Sequence, residues 1–262
     1  MGNILSSGVA WADFGYSSNL LWTPAQLTTA TWLDASRASS ITLTSGNIST
    51  WTDLSASAYT FNQATGNAQP RWSSANTLNG LNVAVFDRGD ILSATTGPQP
   101  GANNQMMLIV AQLYTAHDGR FYIISNNNGS SRNTILPHYA GDSPKYLHHP
   151  SGTPVDYGFS TAINSPHIFS GYRNGNTVGI GVNGSTETTN SNGQDLGTMT
   201  FWTVGALANN SGNLNGFIAE IVVVSSYDTA NYQKLQGYLA WKWGLQGNLP
   251  SGHTYKNKPP FN

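Results

Sequence analysis

The chain has 262 residues, with 11 Lys and Arg against 12 Asp and Glu and a formal charge of -1, which excludes electrostatic capture of nucleic acid or of an anionic membrane as its main work. Only 9% of residues are charged, whereas Asn, Ser, Thr and Gly number 28, 28, 26 and 28, so the surface must be uncharged and hydrogen-bonding. Cysteine is absent, which removes disulfides and thiolate sites, and no apolar run reaches the roughly 20 residues of a membrane span.

The opening residues are apolar in places (Trp11, Phe14, Leu20, Leu21, Trp22), lack a period and end at Pro24. They predict an arm over residues 1–22, outside a main domain spanning 23–262, that makes assembly contacts through Trp11, Phe14, Leu21 and Trp22. This stretch has neither the basic region nor the continuous apolar run of a secretory leader. Gly2 with Ser6 satisfies the loose myristoylation pattern, but nothing basic follows to supply a second anchoring signal.

From Ala30 to Val224 short apolar runs alternate with Gly, Asn, Ser and Pro clusters, the pattern of many short antiparallel strands. The candidates are Thr31 to Leu33, Ile48 to Trp51, Val83 to Phe86, Met106 to Tyr114, Phe121 to Ser125, Ile168 to Tyr172, Thr177 to Val182, Ser185 to Thr189, Phe201 to Val204 and Phe217 to Val224. Asn183-Gly184 accepts the positive φ angles of a type I′ turn, which predicts a hairpin pairing Val182 with Ser185 and Ile180 with Glu187, at a sheet edge. Asp118-Gly119 predicts a similar turn. Between these strands, Pro137 to Gly158 is broken by Pro and Gly and carries three Tyr and three His, so it predicts a long recognition loop, with Tyr139, Tyr146, His148 and Tyr157 as candidate ligand-binding residues for a sugar.

Helical period occurs from Thr229 to Trp243, where Tyr232, Leu235, Leu239 and Trp243 form one stripe. Asp228 is placed as N-cap, and Gly244 to take the left-handed conformation that ends the helix, with Leu245 folding back. Gly237 inside the helix points to a close neighbour. The remaining segment, with its Pro and Gly, should run extended over the surface.

Several segments read together as one pattern. They are Thr23-Pro24-Ala25-Gln26-Leu27 running into Trp32-Leu33-Asp34-Ala35-Ser36; Trp51-Thr52-Asp53 followed by Ser55; Gln69-Pro70; Leu78-Asn79-Gly80-Leu81 leading to Val85-Phe86-Asp87; Gly216 to Ile221; and Gly237 to Leu245, followed by Leu249-Pro250, Gly252-His253 and Tyr255. Together they resemble a concanavalin A-like (laminin G-like) domain recurrent in bacteriophage and bacterial proteins, and the resemblance covers about residues 23 to 258. It implies an all-β fold, a two-sheet antiparallel jelly-roll sandwich with one C-terminal helix at about 229–243, of a kind found in phage tail and head appendages and in glycan-binding modules.

Chemistry is sparse on this chain. A glycosidase needs two flanking carboxylates, yet the only Glu residues are Glu187 and Glu220, on different strands; Glu220 shares a face with Ile218, Val222 and Val224 and reads as a structural carboxylate. The six His residues have no metal-ligand spacing, no EF-hand loop is present, and no cofactor is expected. Asp87-Arg88-Gly89-Asp90 reads as a structural turn despite its R-G-D tripeptide. The leading expectation is a non-enzymatic bacteriophage virion-surface protein, a head decoration or tail appendage subunit, homo-oligomeric and partnered by capsid or tail proteins, with adhesion to a host glycan. A carbohydrate-binding module and a polysaccharide hydrolase are the alternatives.

Overall fold

The computed structural model describes residues 21–99, 104–115, 121–125, 132–139, 143–149, 155–156, 161–191, 198–207 and 212–262. In chain order its strands are β1 (Thr29–Asp34), β2 (Ile41–Thr44), β3 (Asn47–Thr52), β4 (Thr60–Asn62), β5 (Arg71–Leu78), β6 (Leu81–Asp87), β7 (Leu92–Ala94), β8 (Asn104–Leu113), β9 (Tyr122–Ser125), β10 (Arg132–Tyr139), β11 (Ser143–His149), β12 (Val155–Asp156), β13 (His167–Asn174), β14 (Thr177–Val182), β15 (Thr188–Ser191), β16 (Phe201–Val204) and β17 (Asn215–Val224). One α-helix, α1, spans Thr229–Lys242.

The strands form two antiparallel layers. In the first, β17 pairs with β8 on one side and with β6 and then β1 on the other, and β13, β14 and β15 extend the layer beyond β8. The second layer runs β2, β3, β4, β7, β16, β9, β10, β11, β12. The sandwich core between them holds Leu33, Trp51, Phe61, Phe86, Met107, Ile109, Phe169, Ile180, Trp202 and Ile221. On its other face the first layer carries α1, against which Met106, Leu108, Val110, Val222 and Val224 pack with Leu235, Leu239 and Trp243. Strand β8 is therefore apolar on both faces, which is why its sequence reads as a continuous apolar run.

The helix is built as its sequence directs. The Asp228 carboxylate accepts from the Asn231 amide at 2.8 Å. Tyr227, just before the cap, packs on Tyr232 with ring centroids 5.7 Å apart, a staple across the first turn. At the far end Gly244 takes φ +72°, and the Leu245 amide donates to the Ala240 carbonyl at 2.7 Å, a Schellman closure. A Cβ on Gly237 would lie 2.5 Å from Cβ of Tyr255, so the glycine makes room for the C-terminal segment.

Four sequence expectations need correction here. The C-terminal segment is anchored rather than laid over the surface: Leu249, Pro259 and Pro260 are buried and Leu21 bridges to Phe261. The backbone between Pro137 and Gly158 is not a loop throughout, since β11 lies in it, paired on one side with β10, which begins ahead of Pro137 (Ile135 opposite Tyr146), and on the other with β12 (Lys145 opposite Asp156). The β14–β15 pairing departs by one residue from a regular two-residue hairpin, placing Ile180 opposite Thr188. Gly181 permits this, because the Cγ of Glu187 lies 3.3 Å from where a Gly181 side chain would begin. The fourth concerns Ile218, which faces the sandwich core while Glu220 and Val222 face the helix; a bulge between Ile218 and Glu220 reverses the alternation.

Candidate functional site

The outer face of the second layer is the surface best suited to a ligand. Strands β2, β3, β4, β7 and β16 contain no charged residue. Their inward positions, among them Trp51, Phe61, Leu92, Ala94, Trp202 and Val204, belong to the sandwich core. Alternation therefore leaves Thr, Asn and Ser outside. Register aligns them across β3, β4 and β7: Thr50 lies opposite Asn62, and Asn62 opposite Ser93. The next residue in line, Thr203 of β16, is buried, and its hydroxyl donates to the Ala206 carbonyl at 2.7 Å.

These groups are also oriented. The Thr50 hydroxyl donates to Oδ1 of Asn62 at 2.9 Å, and Nδ2 of Asn62 donates to the Thr60 hydroxyl at 3.2 Å. At the start of β16, the strand beside β7, Phe201 is 37% exposed, one of three large exposed apolar side chains among the described residues. A row of uncharged donors and acceptors beside an open aromatic ring can hydrogen-bond and stack on a neutral polar molecule.

A second, buried constellation lies between the first layer and α1. Asp34 of β1 stands directly opposite Glu220 of β17, and both are fully buried. Two facing carboxylates repel unless a cation separates them, and Lys242 does so, with Nζ 2.6 Å from Asp34 Oδ2 and 2.7 Å from Glu220 Oε2. Glu220 also accepts from Trp32 Nε1 at 2.7 Å, Tyr238 OH at 3.0 Å and Trp243 Nε1 at 2.7 Å. Burial pushes its carboxyl above the ordinary carboxylate value, while the Lys242 ammonium opposes the rise. The Asp53 carboxylate, also buried, takes the Trp32 amide and the amide and hydroxyl of Ser55. Four of the segments that carry the sequence resemblance, those containing Asp34, Asp53, Glu220 and Lys242, thus converge on one place. The clue in the sequence was Lys242 itself, a charge set between Trp241 and Trp243 beside an apolar helix stripe.

The candidate residues read from the sequence are dispersed. Tyr139 stands opposite Ser143, and Tyr146 and His148 lie on β11, all in the second layer; Tyr157 is outside the described residues. Trp11 and Phe14 are likewise outside them. Trp22 is 4% exposed, packs edge-on against Tyr238 with centroids 6.3 Å apart and donates its amide to Pro260, so its apolar surface is used within its own chain, and half-buried Leu21 pairs beside it. Glu220, enclosed by its four donors, cannot reach a substrate. Among the described residues no three His, Asp or Glu side chains gather to hold a metal, and no helix is long and apolar enough to cross a membrane.

The R-G-D turn presents Arg88 and Gly89 to solvent, but Asp90 is turned inward at 5% exposure and accepts the Asp87 amide at 2.6 Å. Burial pushes the Asp90 carboxyl from 3.8 up to about 6. Because the folded value is the higher one, the stability this group contributes is whole below 3.8 and is lost as pH rises through about 6. Asp90→Asn, whose amide oxygen can still accept from Asp87, is expected to flatten the decline of the thermal midpoint over that window. An unchanged decline would assign it to another group.

No family model and no curated protein matches the sequence. Solved structures do match the fold. Domain 4 of AbnA, a GH43 extracellular arabinanase from Geobacillus stearothermophilus solved with arabinotriose, aligns with a TM-score of 0.58 and 11% identity, over 78% of this chain and 96% of that one. A GH54 α-L-arabinofuranosidase aligns at 0.53 and 15% identity over 77% of this chain. An arabinofuranosidase complexed with arabinofuranosyl-α-1,2-xylobiose aligns at 0.54 and 14% identity, again over 77%. The fold is shared with domains of glycosidases. This chain spans 50% of the length of either arabinofuranosidase. These likenesses correct the expectation of a non-enzymatic virion-surface protein: the sandwich is one that carbohydrate-active enzymes use, so it supports neither a phage particle as its setting nor the exclusion of catalysis.

Proposed function

We propose that this chain is a carbohydrate-binding domain whose outer second-layer face takes a neutral glycan. The observation that carries the reading is the uncharged row Thr50, Asn62 and Ser93, with exposed Phe201 on the adjoining strand β16. Hydroxyls and amides match sugar hydroxyls in both donor and acceptor roles, the ring offers a stacking surface, and the absence of charge disfavours an ionic ligand. The arabinotriose and xylobiose-derived ligands of the similar structures suggest arabinan and arabinoxylan as first probes.

Affinity electrophoresis in gels containing arabinan, arabinoxylan or xylan tests this. Retardation is expected on at least one of them and should be insensitive to salt, since little charge is involved. Phe201→Ala should weaken binding about tenfold, corresponding to loss of about 1.5 kcal/mol of ring burial, and Asn62→Ala by a few-fold at most. Tyr146→Ala asks whether the site extends along the layer to β11. Retardation untouched by Phe201→Ala and Asn62→Ala together would move the site off this face. Release of reducing ends in the same incubations would add turnover to binding.

A further inference from the structure

The buried contact of Asp34 with Lys242 has the geometry of a reaction as well as of an ion pair. Nζ of Lys242 lies 2.6 Å from one oxygen of a carboxyl group, with a second carboxylate, Glu220, 2.7 Å from the same nitrogen. The three side chains are 8%, 0% and 0% exposed. The Lys242 ammonium is held 5.0 Å from the Trp243 ring centroid and 5.5 Å from that of Tyr238. The other oxygen of Asp34, Oδ1, accepts from the Ser36 amide at 3.0 Å and the Ser36 hydroxyl at 2.6 Å, donors placed where negative charge would develop on attack at Cγ. Nucleophile, electrophile, proton acceptor and oxyanion donors are all held in place by the fold, which removes the entropy of bringing them together.

We infer that Lys242 and Asp34 condense to an intramolecular amide, an isopeptide bond between α1 and β1, with Glu220 carrying the protons. Glu220 Oε2 takes a proton from the Lys242 ammonium, and the freed electron pair on Nζ attacks Cγ of Asp34. Charge gathers on Oδ1, where Ser36 donates. Glu220 returns the proton to Oδ2, to which Arg37 Nε also lies close at 3.4 Å. Nζ gives up a second proton by the same route, and the Cγ–Oδ2 bond breaks with departure of water. Two of the three ammonium protons leave in that water, the third stays on the amide nitrogen, and Glu220 ends as the carboxylate it began as. The charges of Lys242 and Asp34 both vanish, which relieves the desolvation cost of holding them in the interior. Exclusion of solvent from the site then protects the bond from hydrolysis. The link closes a span of 208 residues.

Intact-mass spectrometry of the denatured protein tests this without any variant. The expected mass lies one water below that of the sequence, and proteolysis should yield a branched peptide joining the segments around Asp34 and Lys242. Folded protein with its full sequence mass overturns the inference. Asp34→Asn should reach the same cross-linked mass by losing ammonia instead of water, while Lys242→Arg should retain its full mass. Glu220→Gln is expected to fold, as judged by circular dichroism, and to remain uncrosslinked; undiminished cross-linking there would overturn the part assigned to Glu220. Should that variant fail to fold, the mass of the wild-type protein still decides whether the bond forms.

Discussion

Measured against the uncrosslinked Lys242→Arg chain, Lys242→Met is expected to be less stable by about 3–5 kcal/mol, the range for removing one partner from a buried ion pair. The methionine fills most of the space but leaves Asp34 and Glu220 facing each other across the β1–β17 pairing, both without solvent. Urea unfolding should show a lower midpoint with an unchanged slope, since the surface exposed on unfolding stays the same. Adding Asp34→Asn takes away one of the two facing charges and should recover part of the loss. A decrease below about 1 kcal/mol would mean that the site behaves as an exposed pair does, contrary to its burial.

Gly216→Ala is expected to be comparably damaging, about 3 kcal/mol or more, at the upper end of overpacking effects. Gly216 lies in β17 opposite Leu113 of β8 and Phe86 of β6. A Cβ there would fall 2.0 Å from the Gln112 carbonyl oxygen and 3.1 Å from the Leu113 Cα. These are backbone atoms of the adjoining strand, which no rotamer change can move aside, so the β8–β17 pairing at the middle of the first layer has to open. Gly252→Ala is the matched control: nothing lies within 4 Å of its Cβ position and its φ is not positive, so thermal melts should find it within about 0.5 kcal/mol of the parent. Equal behaviour of the two variants would show that the close approach at Gly216 is relieved by small shifts.

The same contrast between near and distant neighbours governs how much of the molecule is legible in its residues. The second-layer strands β2, β4 and β7 escape notice because they fully bury none, one and two side chains respectively and turn Thr, Asn or Ser outward, so little apolar alternation is present to count. Strand β11 lies where Pro and Gly suggest a loop, yet it pairs with β10 and β12 in the second layer. The polar row proposed to bind glycan was invisible for the same reason. Its members, Thr50, Asn62 and Ser93, are ordinary in sequence and become a row only when β3, β4 and β7 are laid side by side.

What the sequence determined by itself is what depends on residues a few positions apart. The helix from Thr229, its Asp228 cap, its Gly244 closure, the Asn183-Gly184 turn and the mainly β character of the rest all follow from local backbone preferences and apolar period. Tertiary structure alone decided the rest. The alternation along β17 places Glu220 with Ile218, but a bulge reverses it, and that one extra residue brings Glu220 under α1. Lys242 meets Asp34 across 208 residues, and no local rule can foresee the meeting, because it depends on how two layers and a helix settle around two cores. The arm residue Trp22 was similarly open to either use until the C-terminal segment folded back and buried it against Tyr238.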